Sequence, residues 1–444
     1  MYKLVADDSL ATLRIPAHSL LVEDIHQKHV TLKYGLRSST VRVVPDHSLP
    51  YGEMILSHSI VHELSIPLQP LYQVRVNRHD EIVLGPYIGI LATISSEKLS
   101  RNISSLTSYL HHYHEIGGSI IVFSLEGVDQ ERKQVAGYLY HPSTKSWLKG
   151  TYPYPSSIFS IVEASLTEHW NYYQTVMQHF QATIGDRLYN YPNFNKWDMY
   201  NMLKHEFQNH LPDTAIYQTP ITILKMLEKH KSIYIKPING RLGRLVYKVD
   251  RTKNGAIVQY GGKGKQRKKY FSSQKQFMKF FYHRLKEDDY LIQKSIQLLS
   301  YQNRVIDFRV ILVKDHKGKW NILESVSRFG KSHSIISNIS SGGRAELAYQ
   351  TFRDKFHFSQ EQQEKIFDQI RSLVLKSIKM IEAHGYHCGN IGFDIGIDKD
   401  LHAWIIEINN QNPDHYIALS ANSESLFYEA RYFNMLYAKK LAGF

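Results

Sequence analysis

The sequence predicts an α/β chain in which a small all-β domain and a small parallel βαβ domain precede a larger α+β domain. Short alternating or β-branched runs fill residues 1–84, and apolar strands flank a helix within residues 85–184. From residue 185 to residue 444, helices alternate with antiparallel strand pairs. We therefore predict three domains with these boundaries.

The N-terminal runs are short, and turn residues separate them at close spacing. They cover residues 11–15, 29–33, 40–44 and 72–76. This pattern is typical of a small all-β domain. It contains no constellation of reactive side chains, which favours a role in packing or interaction.

A different rhythm follows in the second domain. Residues 87–92 predict a buried strand, residues 96–113 a helix that ends at Gly117-Gly118, and residues 119–123 a second strand. A strand, a helix and a strand in this order form a βαβ unit with a parallel sheet.

Composition restricts the class of protein. Hydrophobic residues at 43% and charged residues at 21% describe a folded globular chain. No run approaches the roughly 18 apolar residues of a membrane span, and the N-terminus lacks the pattern of a secretory signal. Cys388 is the single cysteine, which excludes an internal disulfide and fits a reducing compartment. We therefore expect a cytoplasmic protein that does not associate with membranes.

The formal charge of +13 indicates a polyanionic partner, which could be a nucleic acid, a nucleoside triphosphate or an acidic protein surface. One dense basic run covers residues 263–269 and follows two glycines, so a solvated hairpin tip is the favoured interpretation. No nucleic-acid-binding motif accompanies the charge, and the sequence does not favour a nucleic acid partner.

The strongest chemical pattern lies near the C-terminus. Residues 392–397 and 404–409 both alternate, and Lys399-Asp400 supplies a polar turn between them. Together they predict a β-hairpin.

The register of this hairpin brings oxygen donors together. If Ile397 faces Trp404, then Asp394 lies opposite Glu407, and Asn409 shares the face of Glu407 because side chains alternate along a strand. Two facing carboxylates repel each other unless a positive charge lies between them. Oxygen ligands of this kind suit Mg²⁺ that is also bound by phosphates. The alternative is a solvated acidic face.

Glycines flank the acidic residue on its strand. Gly392 and Gly396 share the face of Asp394, and we expect them to leave open space above the sheet.

A second pattern suits phosphate binding. Residues 232–237 predict a strand that carries Lys236 near its end, and a loop with Gly240 and Gly243 follows. Backbone N–H groups of such a loop can lie over phosphates, and Lys236 would add a positive charge. The P-loop pattern is absent, and a solvated lysine is the alternative interpretation.

Two further strands complete the set. The strand at residues 290–296 could present main-chain groups of Gln293, Lys294 and Ile296 to an adenine edge. The strand at residues 307–313 places Arg309 on the face away from the core, where a guanidinium suits a phosphate or a developing negative charge. A structural ion pair is an equal alternative for Arg309.

The order of these pieces resembles the ATP-grasp superfamily over residues 185–444. The spacing Asp394–x₁₂–Glu407–x–Asn409 is the most specific part of the match. The resemblance identifies Lys196 and Lys236 as the two ATP-binding lysines, and it implies a nucleotide-binding subdomain at about residues 215–300.

Within that superfamily the whole chain is similar to the YheC/YheD family of endospore coat-associated proteins. The segments that match include residues 84–90, 194–197, 307–309 and 334–338. The resemblance implies that Arg309, Arg328 and Asn338 steady the transferred phosphoryl group or bind a carboxylate, with the Gly342-Gly343 amides beside them. A structural loop role for Arg328, Asn338 and the glycines is the alternative. Gln297 stands where related ligases often carry an acidic residue for the ribose, which leaves ribose recognition open.

The resemblance implies an ATP-dependent carboxylate–amine ligase that works through an acyl phosphate with two Mg²⁺ ions. Its partners would be an amine donor and a small-molecule, peptide or protein carboxylate, with spore coat proteins among them. It would act in the cytoplasm of a spore former, in the mother cell and the spore coat. The alternatives are a kinase built on the same fold and a non-catalytic nucleotide-binding protein of coat assembly.

Overall fold

The computed structural model describes residues 1–77, 81–162, 169–240, 245–262, 265–332, 334, 342–413 and 415–444. It divides into two compact units. The first contains Met1–Tyr191, Lys314–Lys319 and Arg431–Phe444, and the second contains Pro192–Val313 and Trp320–Ala430. The predicted three-domain division stays a prediction.

Strands dominate the first unit. They are β1 (Tyr2–Asp7), β2 (Thr12–Pro16), β3 (His29–Tyr34), β4 (Arg37–Asp46), β5 (Glu53–Ser57), β6 (Leu71–Asn77), β7 (Glu81–Gly85), β8 (Tyr87–Thr93), β9 (Ser119–Asp129), β10 (Gln134–His141), β11 (Ser146–Pro153), β12 (Ser157–Ser160) and β13 (Leu188–Tyr189). Its helices include α1 (His58–Leu64), α2 (Ser96–Leu106), α3 (Tyr113–Ile116) and α4 (Trp170–Ile184).

The N-terminal strands form a closed barrel in the order β1-β5-β2-β4-β3-β7-β6. The alternation read from the sequence places the core. In β4, Val41 and Val43 are buried while Arg42 between them is exposed. The predicted β-rich character of this segment is confirmed.

The next sheet has the order β11-β10-β9-β8-β12-β13. Strands β8 and β9 run parallel with Tyr87 opposite Ser119, as the predicted βαβ unit requires. The predicted helix at residues 96–113 is interrupted, because α2 ends at Leu106 and a 3₁₀ turn follows. In this stretch the hydroxyls of Ser105 and Ser108 donate to backbone carbonyls three residues earlier, a local bond that competes with regular helix.

The second unit contains two further sheets. Its strands are β14 (Thr214–Ile216), β15 (Ser232–Pro237), β16 (Tyr247–Thr252), β17 (Gly255–Gly262), β18 (Lys265–Phe271), β19 (Tyr290–Lys294), β20 (Ser300–Tyr301), β21 (Arg304–Lys314), β22 (Trp320–Phe329), β23 (Arg344–Leu347), β24 (Asn390–Ile397) and β25 (Ala403–Asn409). Its helices include α5 (Lys196–Leu203), α6 (Pro220–His230), α7 (Gln274–Tyr282), α8 (Ala348–Asp354), α9 (Gln360–Ala383) and α10 (Tyr416–Ser420), and α11 (Glu424–Leu441) runs from this unit into the first.

One sheet has the antiparallel order β14-β19-β15-β16-β17-β18. Helices α6 and α7 cover one face, where Ile223 and Phe281 join a core with Ile233 and Val258. The basic run is not confined to a hairpin tip as predicted, because most of its residues belong to the edge strand β18. Residues 263 and 264 lie outside the described residues.

The other sheet has the order β23-β22-β21-β24-β25, with β20 beside β21. Every residue of β24 is buried. The long helix α9 packs on this sheet through apolar residues at helical spacing, including Ile366, Ile370 and Val374. Its first turn is closed by a capping box between Ser359 and Gln362.

No helix in the described ranges combines the length and the apolar character needed to span a membrane.

Candidate functional site

Two adjacent strands of the second unit bring the acidic pair together. Asp394 on β24 lies directly opposite Glu407 on β25, as predicted. Asn409 pairs with Gly392 on the same two strands. The amide of Asn409 lies 3.5 Å from Asp394 Oδ2, so the three side chains meet at one place.

The predicted register at the hairpin tip is wrong by one residue. Ile397 pairs with Ala403 rather than with Trp404. The register shifts between Ile395 and the acidic pair, which leaves Ile406 as an extra residue on β25. A β-bulge of this kind inserts one residue into one strand. It restores the predicted pairing of the two carboxylates despite the shifted tip.

Arginines neutralise the buried carboxylate of this pair. Asp394 accepts from Arg309 Nε at 2.5 Å and Nη2 at 3.2 Å, and Arg328 Nη2 lies 2.9 Å from Asp394 Oδ2. Burial raises the pKa of Asp394, but the charges of the two arginines outweigh burial and lower it below its usual range. Asp394 is therefore anionic, and positive charge from the protein itself relieves the repulsion between the carboxylates.

The sequence reading did not identify Asp307, which extends this ion-pair network. Arg328 donates to Asp307 from Nε at 2.7 Å and from Nη2 at 2.6 Å. Burial opposes the charged form of Arg328, but Asp307 and Asp394 outweigh it and raise its pKa. Asp307 lies two residues before Arg309 on β21 and so shares its face. That spacing was the feature of the sequence from which Asp307 could have been identified as a site residue.

The expectation of open space above the glycines is wrong. A Cβ on Gly392 would lie 3.1 Å from Arg309 Cδ and 3.0 Å from Pro413 Cβ. A Cβ on Gly396 would lie 2.5 Å from Leu298 Cδ2. The missing side chains make room for these neighbours, so Gly392 is needed for Arg309 to reach Asp394.

Lys196 lies at the first position of α5, where Asn195 and Asp198 form a capping box. Its Nζ donates to the carbonyl of Gly240 at 2.5 Å and lies 3.4 Å from Glu407 Oε1. Lys196 therefore connects the loop after β15 to the acidic pair. Gly240 takes part through its carbonyl, whereas its N–H donates to Pro237.

Lys236 lies in β15, and its Nζ donates to the carbonyl of Ile406 at 3.4 Å. The pKa of Lys236 is lowered to about 8, because desolvation and the like charge of Lys196 outweigh the opposing charges of Glu407 and Asp394. Both predicted ATP lysines therefore lie beside the acidic pair.

The predicted adenine-binding segment occupies the end of β19. The backbone of Gln293 pairs with strands on both sides, and its amide donates to Thr214 Oγ1 at 2.9 Å. The N–H of Lys294 donates to the carbonyl of Asp213. Ile296 follows the strand, and its carbonyl accepts from the N–H of Leu298. Gly243 and Asn338 lie outside the described residues, while Gly342 adopts a φ of 94°.

The donor set can be tested against a magnesium ion. Asp394 and Glu407 supply anionic oxygens, and Asn409 supplies an amide, which are the ligand types Mg²⁺ prefers. Across the described ranges, no group of three or more His, Cys, Asp or Glu side chains is arranged to hold a metal. Two carboxylates and one amide would suit an ion whose remaining ligands are phosphate oxygens and water.

The site as a whole combines cations that can bind a polyanion with carboxylates that can bind a divalent cation. The cations are Lys196, Lys236, Arg309 and Arg328. This combination matches a nucleoside triphosphate with its metal, since electrostatic stabilisation is what phosphoryl transfer requires of a protein.

Comparison with known proteins agrees with this geometry. A family model described as YheC/D-like ATP-grasp matches residues 185–441. The chain is 26% identical over 371 residues to endospore coat-associated protein YheD of Bacillus subtilis (strain 168), covering 81% of this chain and 79% of that protein. It is 23% identical over 300 residues to endospore coat-associated protein YheC of the same organism, covering 67% of this chain and 81% of that protein.

Solved structures with a similar arrangement include D-cycloserine synthetase DcsG, with 13% identity, a TM-score of 0.46 and coverage of 80% of this chain and 100% of that one. The ATP-grasp ligase PsnB complexed with minimal precursor, Mg and ADP has 14% identity, a TM-score of 0.43 and coverage of 80% and 98%.

Proposed function

This chain belongs to the YheC/D-like ATP-grasp family and has the ATP-grasp fold, and we propose that it is an ATP- and Mg²⁺-dependent carboxylate–amine ligase. One observation carries the proposal. Lys196 and Lys236 lie beside Glu407, while Arg309 and Arg328 converge on Asp394 opposite it. ATP with its metal ion needs both kinds of group, cations for the phosphates and carboxylates for the metal.

Each group has a role in binding. Lys196 and Lys236 contact the polyphosphate, and their charges neutralise it. Asp394, Glu407 and Asn409 would hold Mg²⁺, and the family resemblance implies two ions. Bound metal would neutralise the charge of the phosphates during transfer.

The reaction has two steps. A carboxylate oxygen of the acceptor attacks the γ-phosphorus, and the bond to the β-phosphate oxygen breaks. ADP departs, and the acceptor becomes an acyl phosphate. An amine nitrogen then attacks the acyl carbon, the carbon–oxygen bond to phosphate breaks, and the amine releases a proton. Arg309 and Arg328 stabilise the negative charge of the transferring group.

The names of the relatives support a connection with the spore coat. Both curated relatives are named endospore coat-associated proteins. We accordingly propose that the acceptor is a small-molecule, peptide or protein carboxylate used in building a spore coat, and that the chain acts in the cytoplasm of the mother cell.

Incubation with Mg·ATP tests the reaction class. The protein is mixed with amino acids and acidic peptides, and ADP, phosphate and ligated product are measured. Hydroxylamine should convert the acyl phosphate into a hydroxamate. A stable phosphorylated product without free phosphate would indicate a kinase. Nucleotide binding with no turnover under all of these conditions would contradict the ligase.

Substitution at the metal site provides a matched comparison. Glu407→Gln removes one anionic metal ligand, so ADP release should fall at least about 100-fold, because charge at the transferring phosphoryl group is the main catalytic contribution. Glu346→Gln is the control, because its carboxylate has 24% exposure against 27% for Glu407 and is also within 4 Å of a lysine. Equal activity of the two variants would exclude Glu407 from the metal site.

A further inference from the structure

Asp307 is a buried carboxylate next to the site, with 4% exposure. Its two oxygens each accept a hydrogen bond from Arg328, one from Nε and one from Nη2. Such a two-point pair between a guanidinium and a carboxylate fixes orientation as well as position. Asp307 is therefore engaged by Arg328 through both of its oxygens.

The two arginines of the site are held differently. Arg328 is shared between Asp307 and Asp394, at 2.6 Å and 2.9 Å from its Nη2. In the described part of the chain, the side-chain hydrogen bonds of Arg309 go to Asp394. Along the network the charges alternate in the order Asp307, Arg328, Asp394, Arg309.

A divalent cation at Asp394 would change this balance. Its charge would compete with both guanidinium groups for the same carboxylate oxygens, because like charges at short range repel. Arg309 would then lose the partner that holds it. Arg328 would keep the pair with Asp307, which lies on its other side.

We propose that Asp307 is a positioning residue that holds Arg328 in the site when Asp394 binds the metal ion, so that the Arg328 guanidinium stays aimed at the phosphoryl group in transfer. This inference rests on the proposed function. It divides the work between the arginines. Arg309 follows the bound nucleotide, whereas Arg328 is fixed beforehand.

Preorganised charge matters more in the transition state than in the ground state. Loss of Asp307 should therefore spare ATP affinity and impair recognition of the transferring group. Mg·ADP with fluoroaluminate mimics that group, and ¹⁹F NMR or calorimetry follows its binding without any acceptor or turnover.

The variant Asp307→Asn is nearly isosteric but cannot pair with both guanidinium nitrogens. We expect its affinity for Mg·ADP-fluoroaluminate to fall by about 100-fold, the lower end of the loss caused by removal of one transition-state donor. Its affinity for Mg·AMP-PNP should change by less than about threefold, since uniform binding is untouched. Asp307→Glu, which keeps the charge, should recover part of the loss and serves if Asp307→Asn unfolds.

A matched control distinguishes loss of the positioning of Arg328 from the loss of an ion pair in general. Arg353 donates to Asp354 through the same Nε and Nη2 arrangement, at 2.7 Å and 3.1 Å, but both of these side chains are exposed. Asp354→Asn should leave fluoroaluminate binding unchanged.

The double variant Asp307→Asn with Arg328→Lys is decisive. If Asp307 acts through Arg328, the double variant binds fluoroaluminate no worse than Arg328→Lys alone. Multiplied effects, or wild-type binding by Asp307→Asn, would overturn the inference while leaving the ligase proposal intact. Failure of the wild-type protein itself to bind Mg·AMP-PNP would overturn both.

Discussion

At the residue scale, the proposed contact of Lys236 with ATP predicts that nucleotide binding depends on pH. Its pKa of about 8 means that the ammonium loses its proton above that pH in the nucleotide-free protein. The charged form binds phosphate, so ATP affinity should fall as the pH rises from 7 to about 9.5. Bound nucleotide should raise the pKa of Lys236 by linkage.

The same shift predicts a stability effect of opposite sign. An unfolded lysine has a pKa of about 10.4, so between about pH 8 and 10 the unfolded chain binds more protons than the folded one. The contribution of Lys236 to the free energy of unfolding therefore rises with pH across this window in the absence of ATP.

Calorimetric titration with ATP from pH 6.5 to 9.5 and urea unfolding check both effects. Lys236→Met should flatten the two pH profiles. Lys376→Met, an exposed position on α9, should leave them as in the wild type. Identical profiles for the wild type and Lys236→Met would show that another group titrates.

Gly392 makes a separate prediction at this scale. Gly392→Ala places a methyl group against Arg309 and Pro413, so the guanidinium must shift away from Asp394. We expect a loss of about 1–3 kcal/mol in the free energy of unfolding, the usual cost of overpacking, together with weaker ATP binding. Urea denaturation and calorimetry measure the two effects.

The comparison for that variant is Gly261→Ala on β17, where an added Cβ meets nothing within 4 Å. Its unfolding free energy should stay near that of the wild type. A stable Gly392→Ala protein with normal ATP affinity would mean that Arg309 has another way to reach Asp394.

At the element scale, the start of α5 decides where Lys196 lies. The side chain of Asn195 accepts from the N–H groups of Trp197 and Asp198. In return, the side chain of Asp198 accepts from the N–H of Asn195. Asn195→Ala should cost about 0.5–2 kcal/mol of stability, as loss of a cap does. It should also weaken ATP binding, because Lys196 is the first residue of the helix.

The capping box of α9 provides the control. Ser359→Ala removes a cap that holds no predicted site residue, so it should lower stability by a similar amount and leave ATP affinity unchanged. Asn195→Asp keeps an accepting oxygen and should behave almost as the wild type. Weakened binding in Ser359→Ala would attribute the effect to global destabilisation instead.

The hairpin of β24 and β25 shows which features of an element can be predicted from its sequence. Alternation identified both strands and the pairing of Asp394 with Glu407. It did not reveal the bulge at Ile406, which follows another apolar residue, Ile405, on the strand. The bulge is also where the carbonyl that accepts from Lys236 is found, so this irregular residue takes part in the site.

At the scale of the whole molecule, the described site residues belong to one of the two compact units. Mg·ATP should therefore slow amide hydrogen exchange in β15, β19, β24 and β25, since ligand binding stabilises the structure that binds it. The barrel strands β1–β7 serve as the internal reference. Equal protection of the barrel and the site strands would indicate a coupling that the site contacts do not explain.

Periodicity and motif spacing are local properties, so the sequence predicted the β-rich N-terminal segment, the βαβ order and the pairing of Asp394 with Glu407, and family resemblance predicted the ATP-grasp fold and the other charged residues of the site except Asp307. Only the tertiary structure decided how the charges pair. Asp307 and Arg328 are 21 residues apart and Arg309 and Asp394 are 85 apart, and no local pattern specifies such partners. Burial makes each of those charges depend on a partner from a distant strand, so the electrostatics of the site exist only in the folded chain.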